Sequence, residues 1–285
     1  SQAVHAQWVL PNGPVAAWVA RLRKIPFVIS LHGSDIFIAR RNRLFGAVAG
    51  WVFRRAAVVT ACSPDLRNAA LALGAREVHL LAWGADPQIF NPMHRSGRFR
   101  QENGWTDETV VVTTLGRLVN KKGFDRLISA WAGIAARHPE AHLVIGGSGP
   151  QREELEDLVQ QLDLQKRISF YGQVPWNKVP EFLASGEVFA LPSIKDVKGN
   201  MDGLPTVLLE AMGCGQAVVA SRLAGIPLVI ENGINGLLVP PDDIPALEAA
   251  LESVMDPARR QELSQAARRS VEQTYNWENV VRVIG

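Results

Sequence analysis

Apolar runs of strand length alternate with helical stretches along the first third of the chain. Runs such as 25–31 (IPFVISL) and 56–61 (AAVVTA) are apolar throughout, which is typical of strands buried on both faces. Ser63, followed by Pro64 and later by Gly74, supplies the start and stop signals of a helix. The pattern predicts helices over 14–24, up to about residue 55 and over 63–75, and strands over 25–31, 56–61 and 77–82.

The same alternation begins again after residue 108. Between the two halves, proline, glycine, asparagine and charged residues accumulate without an apolar period, and we place a linker at 95–108. The pattern then predicts strands over 109–116, 141–147, 167–172, 188–193 and 216–221, and helices over 124–139, 151–164, 179–186, within 202–215, and over 244–255 and 257–273.

Apolar strands that alternate with helices indicate parallel sheets covered on both faces. Two such series joined by a linker predict an α/β protein with two Rossmann-like, doubly wound domains that face each other across a cleft. The first domain is placed at 1–94 and the second at 109–285. In open parallel sheets, ligands bind beyond the carboxyl ends of the strands, so candidate chemistry is sought there.

Charge is distributed unevenly along the chain, although the net charge of the 285 residues is only +2. Residues 1–105 carry 13 basic and 5 acidic side chains, whereas residues 106–285 carry 17 and 23. This asymmetry predicts an anionic partner for the first domain. The stretch 40–55 (RRNRLFGAVAGWVFRR) sharpens the prediction to an anionic membrane surface. A core helix with solvated arginines at its ends is the slightly favoured interpretation of this stretch, and the two interpretations can coexist. Nucleic acid is disfavoured, because no basic-aromatic platform or groove-reading helix is recognisable.

Cysteine usage favours a reducing compartment. Cys62 and Cys214 are the two cysteines of the chain, they lie far apart, and no Cys-x-x-Cys pair is present. No apolar run is long enough to span a bilayer. We therefore expect a cytoplasmic protein, with peripheral contact to the inner face of the cell membrane as an option.

The loop after the first strand of the second domain is a candidate phosphate site. The stretch 115–125 (LGRLVNKKGFD) offers Gly116, Arg117 and Lys122 immediately before a helix, and cations and a helix N-terminus both favour an anion. The second glycine-rich turn, 145–150 (IGGSGP), is not the Gly-x-Gly-x-x-Gly fingerprint of dinucleotide binding. No Asp-x-Asp pair occurs, so we expect neither a metal clamp nor a cofactor.

Two carboxylates, Asp202 and Glu210, lie in the stretch 202–215 (DGLPTVLLEAMGCG). Glu210 falls within an apolar helical run, about one turn after Thr206, and a carboxylate there can hold the vicinal diol of a ribose. Asp202 lies just outside the helix, where it can accept sugar hydroxyls. The alternative is structural, because Glu210 could instead pair with a buried arginine such as Arg222.

Several stretches in this order resemble the retaining family 4 glycosyltransferases of the GT-B fold. They are GRLVNKKG, LVIGGSGP, ISFYGQVP, LPS, DGLPTVLLEAMGCGQAVVAS and GIPLVIENGINGLLVPPDD, with HAQWVLPNG and SLHGSD in the first domain. The resemblance implies transfer of a sugar from a nucleotide-diphosphate donor to an acceptor hydroxyl, with retention and without a metal. The acceptor is expected to be a glycan or a lipid-linked sugar of cell-envelope synthesis.

The resemblance also implies roles for individual residues. Arg117 and Lys122 would hold the diphosphate in the place of a metal, Glu210 would bind the ribose, and Asp202 and His32 would contact the transferred sugar. The remaining positions that would bind the nucleotide sugar are Gly116, the backbone of Gly203, Leu204, Pro205 and Thr206, and Gly172, Gln173, Val174 and Pro175 beside the base.

The chain departs from the family pattern in two ways. Asp202 stands where the family has the longer glutamate, which affects the sugar contacts more than the ribose contacts. The first strand and the glycine-rich loop of the family are missing, so we expect an incomplete first domain. Two alternatives therefore stay open: a nucleotide-sugar-binding fragment without catalysis, and a nucleotide-sugar epimerase of the same fold.

Overall fold

The computed structural model of the protein describes residues 2–197 and 199–284, which form two compact units. The first unit consists of Ser1–Trp83 and Val197–Leu204. The second consists of Gly84–Asp196 and Pro205–Gly285. The predicted α/β class is confirmed, because each unit contains a parallel sheet with helices in its connections.

The first unit contains a parallel sheet of four strands in the order β1-β2-β3-β4. Val4 lies opposite Phe27, and Val28 lies opposite Val58. The strands are β1 (Val4–Gln7), β2 (Phe27–Leu31), β3 (Val58–Ala61) and β4 (His79–Leu80), and the helices are α1 (Asn12–Arg23), α2 (Ser34–Arg41), α3 (Arg43–Phe53) and α4 (Pro64–Ala72).

Short polar side chains cap the N-termini of α3 and α4 in this unit. The hydroxyl of Ser63 accepts a hydrogen bond from the amide of Leu66 at 3.2 Å, so the predicted cap of α4 is confirmed. The predicted helical stretch ending near residue 55 is divided in two at Asn42, whose backbone is extended. The Asn42 side chain instead caps α3, accepting from the amide of Leu44 at 2.9 Å.

The second unit contains a six-stranded parallel sheet in the order β10-β9-β8-β5-β6-β7. Its strands are β5 (Val110–Leu115), β6 (Ala141–Gly146), β7 (Ile168–Gly172), β8 (Val188–Leu191), β9 (Ala217–Ser221) and β10 (Leu237–Val239). Its helices are α5 (Gly97–Glu102), α6 (Phe124–Arg137), α7 (Arg152–Gln161), α8 (Val179–Ala184), α9 (Thr206–Gly213), α10 (Ile244–Ser253), α11 (Pro257–Gln273) and α12 (Trp277–Ile284).

The core of the second unit lies between this sheet and the helices that cover it. All residues of β8 and β9 are buried, as expected for central strands covered on both faces. The largest fully buried side chain is Trp131 of α6, which packs with Phe124 and Leu127 against the apolar residues of β5 and β6. These two strands therefore have a fixed position relative to α6, which begins at the carboxyl edge of the sheet.

The units divide the chain differently from the predicted boundaries at 94 and 95–108, and the second unit begins at Gly84. Two arginines, half-buried Arg268 and buried Arg100, hold these stretches to the second unit. Arg268 of α11 donates to the carbonyls of Pro87 at 3.0 Å and Phe90 at 2.6 Å, which fixes 84–94 to the second unit. The stretch 95–108 contains α5 rather than an irregular linker, and the polar residue Arg100 is one of its anchors.

Arg100 and Glu187 join α5 to the amino ends of the central strands. Arg100 is only 3% exposed and donates to the carboxylate of Glu187 at 3.1 Å, and to the carbonyls of Thr106 and Thr109 at 2.6 and 2.8 Å. The other oxygen of Glu187 accepts from the amide of Val111 at 2.7 Å. The buried ion pair thus satisfies backbone groups that have no strand partner there.

We predict that Arg100→Ala destabilises the protein far more than Arg95→Ala, although both arginines bind Glu187. Removal of buried Arg100 takes a charged donor away from the carboxylate of Glu187 and from the carbonyls of Thr106 and Thr109, which costs about 3–5 kcal/mol. Arg95 is 41% exposed, and an exposed pair contributes about 0–1 kcal/mol. Urea denaturation of the two variants measures the difference. Equal midpoints would show that the burial of Arg100 carries no stability.

Candidate functional site

The loops at the carboxyl edge of the second unit's sheet form the candidate site. The strands are parallel, so the loops that follow β5, β6, β7 and β8 all leave the sheet at this one edge. These loops contain most of the residues singled out from the sequence. Their positions are set by contacts of backbone with backbone.

Glycines bring the β5 and β6 loops into direct contact. Gly147 has a φ of +128°, and a Cβ atom at this position would lie 1.8 Å from the carbonyl oxygen of Gly116. The amide of Gly116 donates to the carbonyl of Gly146 at 3.0 Å, and the amide of Gly147 donates to the carbonyl of Gly172 at 2.6 Å. Three adjacent loops are thus tied together through their backbones, with no room for a side chain between them.

Gly123 ties the β5 loop to the β8 loop in the same way. It has a φ of +68°, and a Cβ atom there would lie 2.0 Å from the carbonyl oxygen of Pro192. The carbonyl of Lys121 accepts from the amide of Ile194 at 2.9 Å. Helix α6 begins at the next residue, Phe124, so its N-terminus is held at the edge of the sheet.

Two predicted cations lie on this β5 loop. Arg117 follows Gly116 and is exposed, whereas Lys122 is half-buried. The side chain of Lys122 passes over Gly116: a Cβ atom on Gly116 would lie 3.3 Å from its Cε. The glycine therefore leaves the space that the aliphatic part of Lys122 occupies, and the arrangement places positive charge beside the end of β5.

Glu210 lies on the first part of α9 and is mostly removed from water. Burial raises the pKa of its carboxyl to about 6, and a hydrogen bond from the side chain of Thr206, one turn earlier, lowers it in part. The alternative partner Arg222 lies exposed after β9. Glu210 is therefore a carboxylate with little local compensation, which favours a ligand that donates hydrogen bonds.

The residues before α9 differ from the expectation. The helix predicted within 202–215 begins at Thr206, so Gly203, Leu204 and Pro205 lie before it. Gly203 and Leu204 belong to the first unit, as does half-buried Asp202. The backbone of Gly203 approaches Cys62 so closely that a Cβ atom at position 203 would lie 2.6 Å from the Sγ of Cys62.

The predicted base-binding segment follows β7. Gly172 has a φ of +81° and is the last residue of the strand. Gln173 and Pro175 are exposed, Val174 is half-buried, and a short 3-10 turn begins at Trp176. Gly172 is thus joined to the edge described above, whereas the three residues after it extend toward solvent.

His32 lies at the end of β2 in the first unit and is surrounded by aromatic rings. Its ring stacks on that of Trp83 with a centroid distance of 4.8 Å, and the ring of Trp8 meets its edge at 5.7 Å. Its Nε2 lies 2.6 Å from the Oε1 of Gln7. Burial lowers the pKa of His32, while the nearby charge of Asp35 raises it, so the imidazole is neutral at neutral pH.

The glycosyl transferases group 1 family matches residues 96–270, and the glycosyl transferase 4-like domain matches residues 1–84. The chain belongs to the glycosyl transferases group 1 family. This membership confirms the resemblance seen in the sequence motifs.

Two relatives illustrate the range of the group 1 family. The GDP-mannose-dependent monoacylated alpha-(1-6)-phosphatidylinositol monomannoside mannosyltransferase of Corynebacterium glutamicum is 34% identical over 199 residues, which cover 68% of this chain and 51% of that protein. The alpha-D-kanosaminyltransferase of Streptomyces kanamyceticus is 28% identical over 263 residues, or 87% of this chain and 66% of that protein. The chain thus spans about half to two thirds of the length of these relatives.

Solved structures of glycosyltransferases show the same fold. The crystal structure of Anabaena Alr3699/HepE in complex with UDP and glucose superposes with a TM-score of 0.82, at 23% identity, and covers 99% of this chain and 76% of that one. The likeness confirms the predicted GT-B fold for this group 1 family member.

Three residues of this group 1 family member were missed by the sequence analysis. Gln7 and Trp83 contact His32, and Asp35 accepts hydrogen bonds from the amides of Val9 at 2.7 Å and Gly33 at 3.1 Å. Asp35 lies in the first turn of α2. Its signal was the Gly-x-Asp spacing after a buried strand, whereas Gln7 and Trp83 meet His32 only through the fold.

Among residues 2–197 and 199–284, no group of three or more His, Cys, Asp or Glu side chains is arranged to hold a metal ion. Within the same described part of the chain, no helix combines the length and apolar character needed to cross a membrane.

We predict that Gly147→Ala destabilises this group 1 family member and that Gly97→Ala does not. The methyl group at 147 would overlap the carbonyl of Gly116 in a backbone region that favours glycine, whereas a Cβ atom at 97 meets nothing within 4 Å. Strain and overpacking each cost about 1–3 kcal/mol. Thermal denaturation measures the loss, and an unchanged midpoint for Gly147→Ala would mean that the loops separate freely.

Proposed function

We propose that the protein binds a nucleotide-diphosphate sugar at the carboxyl edge of the second unit's sheet and transfers the sugar to an acceptor hydroxyl with retention. The observation that carries this proposal is the β5 loop, where Lys122 passes over Gly116 beside Arg117 and the start of α6. Family membership supports the reaction class.

The diphosphate is assigned to the cations of this loop. Arg117 offers a planar fork of donors, and Lys122 offers a point charge. Close contact of glycine backbones at this edge lets a ligand approach main-chain amides, which also favour an anion. The proposed role of the two side chains is to stabilise charge on the diphosphate as it departs.

The sugar and nucleoside contacts follow the family motif. Glu210 accepts hydrogen bonds from the ribose diol, and the segment Gly172–Pro175 lies beside the base. Asp202 and His32 contact the transferred sugar, and the amides of Gly203, Leu204 and Thr206 are the backbone donors. In the reaction, the bond from the anomeric carbon to the β-phosphate oxygen breaks, and the acceptor oxygen bonds to the same face of that carbon.

The proposed products are glycolipids or envelope polysaccharides, since relatives are described as mannosyltransferases that act on phosphatidylinositol mannoside and as colanic acid biosynthesis glycosyltransferases. The test is incubation with radiolabelled GDP-mannose or UDP-glucose and a lipid extract. Label in the lipid or glycan fraction supports transfer. Retention of donor on the protein without transfer favours a binding fragment, and an altered free nucleotide sugar favours an epimerase.

We predict that Arg117→Ala and Lys122→Ala each lower the transfer rate by about 100-fold or more, because a donor that stabilises developing charge contributes this much. Lys166→Ala is the matched control: Lys166 is an exposed lysine of the same unit that precedes β7, at the opposite edge of the sheet. Steady-state kinetics and a thermal melt of each variant separate turnover from stability. Equal transfer rates for all three variants would show that the diphosphate does not bind at the β5 loop.

We predict that affinity for an intact nucleotide sugar rises as the pH increases from 5 to 7 in the wild type. Glu210 has a pKa of about 6 in the free protein, and only its charged form accepts two hydroxyls. The contribution of Glu210 to the stability of the fold changes with pH in the opposite direction. Because the folded pKa is raised, Glu210 stabilises the fold fully below about pH 4.5, and this stabilisation is lost as the pH rises through 6.

Glu210→Gln should abolish this pH dependence and weaken binding at pH 7.5 by about 10- to 150-fold, the range for loss of a charged hydrogen bond. Calorimetric titration from pH 5 to 8 measures both effects, and a 2′,3′-dideoxy nucleoside analogue is the control. If the wild type binds the ribose and dideoxy ligands equally tightly, Glu210 does not hold the ribose.

We infer that the first unit contacts an anionic membrane surface. On α1, the face formed by Val15, Trp18 and Leu22 is exposed, each residue by more than 60%, and Arg21 and Arg23 lie beside it. An exposed apolar stripe with flanking arginines is typical of a helix that lies in a membrane interface. The net positive charge of residues 1–105 favours anionic lipid over a second copy of the chain.

We predict that Trp18→Ser reduces flotation with anionic vesicles and that Trp176→Ser, a similarly exposed tryptophan of the second unit, does not. The double variant Arg21→Ala/Arg23→Ala should lower vesicle affinity by about 30-fold at low salt, from about 1 kcal/mol per cation. Equal flotation with neutral and anionic vesicles would reject the proposal, as would a dimer that dissociates on Trp18→Ser.

A further inference from the structure

A row of hydrogen-bonded side chains crosses the sheet of the first unit and ends at His32. The Oγ1 of Thr60 on β3 lies 2.7 Å from the Oγ of Ser30 on β2, which lies 2.8 Å from the Nε2 of His5 on β1. The Nε2 of Gln7 lies 3.2 Å from that same His5 nitrogen. The Oε1 of Gln7 lies 2.6 Å from the Nε2 of His32.

The buried end of the row fixes its position. Ser30 and Thr60 are 1% and 3% exposed and lie directly opposite each other on adjacent strands. A buried hydroxyl needs a hydrogen-bond partner, so Ser30 and Thr60 cannot exchange their hydrogen bond for bonds to water. Gln7, at the other end of β1, contacts both His5 and His32 and so connects the row to His32.

The direction of the Gln7 amide decides the proton on His32. The amide nitrogen faces His5 and can only donate, while the amide oxygen faces His32 and can only accept. We propose that Gln7 is a positioning residue, which accepts the Nε2–H of His32, selects this tautomer, and leaves the Nδ1 lone pair as the acceptor for a hydroxyl of the donor sugar. The role of the hydroxyl rests on the proposed function.

Aromatic contacts hold the ring plane that this tautomer requires. Trp83 stacks on the His32 ring with an interplanar angle of 18°, and Trp8 meets it at 81°. Rotation of the ring about its Cβ–Cγ bond would break the stacking and the hydrogen bond to Gln7 together. Both ring nitrogens therefore have fixed directions.

Burial lowers the pKa of His32 and keeps the imidazole neutral, although the charge of Asp35 acts in the opposite direction. The groups that act on its pKa, besides burial, are Asp35 on α2 and His5 on β1, and the net effect lowers the pKa. A neutral ring whose one donor is used by Gln7 can only accept at Nδ1. This selects a sugar hydroxyl and disfavours a carboxylate, which has no hydrogen to donate, at the same place.

The first experiment is nitrogen-15 NMR of histidine-labelled full-length protein without substrate. At pH 7.5 we expect His32, assigned by its absence from His32→Ala, to show the protonated-Nε2 tautomer. Gln7→Ala should convert it to a mixture of tautomers. A protonated-Nδ1 tautomer in the wild type, or an unchanged spectrum in Gln7→Ala, would overturn the proposal.

The second experiment uses Gln7→Glu, which places a carboxylate against His32. An adjacent opposite charge raises a histidine pKa by about 1–3 units, so the ring becomes cationic near neutrality and loses its acceptor. Transfer should then fall about 10-fold or more at pH 6.5 and recover toward pH 9. Gln2→Glu adds the same charge at an exposed position of the same unit and is the control.

Equal shifts of the His32 pKa in both glutamate variants, or none in Gln7→Glu, would overturn the proposal. The proposed role of Gln7 and the proposed function can be disproved independently of each other. A wild type that neither binds nor transfers a nucleotide sugar contradicts the proposed function, while the tautomer and the NMR-measured pKa still test the link between Gln7 and His32.

Discussion

Direct contact between backbones at the carboxyl edge of the six-stranded sheet is the constraint on which the candidate site depends. Gly147 against Gly116 and Gly123 against Pro192 leave no space for a methyl group, so three loops and the start of α6 have one relative position. The backbone of the β5 loop, which carries Arg117 and Lys122, is therefore held by main-chain contacts. An anion that binds there meets charges that need little reorganisation.

Burial of charge has opposite outcomes at two places in the second unit. Glu187 is surrounded by arginines and strand amides, and it joins α5 to the sheet as a compensated ion. Glu210 is compensated only in part by Thr206, and burial keeps its pKa near 6. The first arrangement stabilises the fold, while the second leaves a carboxylate whose charge is favoured when hydroxyls donate to it. Glu210 thus differs from the structural carboxylate Glu187 by having fewer local partners for its charge.

Much of the second unit could be predicted from the sequence, because its elements are specified locally. The helix expected over 124–139 is Phe124–Arg137, and the apolar run within 188–193 contains β8, Val188–Leu191. The short strands Val4–Gln7 and Leu237–Val239 were missed, since three or four residues carry no clear period. The prediction of a linker at 95–108 was wrong because an arginine in a sequence looks like a surface residue. Arg100 is buried only because the fold places it against Glu187, which is far along the chain.

The segment Val197–Leu204 belongs to the first unit although most of the second unit precedes it in the chain. Gly203 approaches Cys62 so closely that this segment forms part of the surroundings of His32's own strand end. During synthesis at about 5–20 residues per second, the ribosome needs roughly 6–25 s to go from Trp83 to Leu204. The first unit therefore waits, with this edge uncovered, while four strands of the other sheet, β5 to β8, emerge or begin to pair. Its folding is tied in time to that of its neighbour.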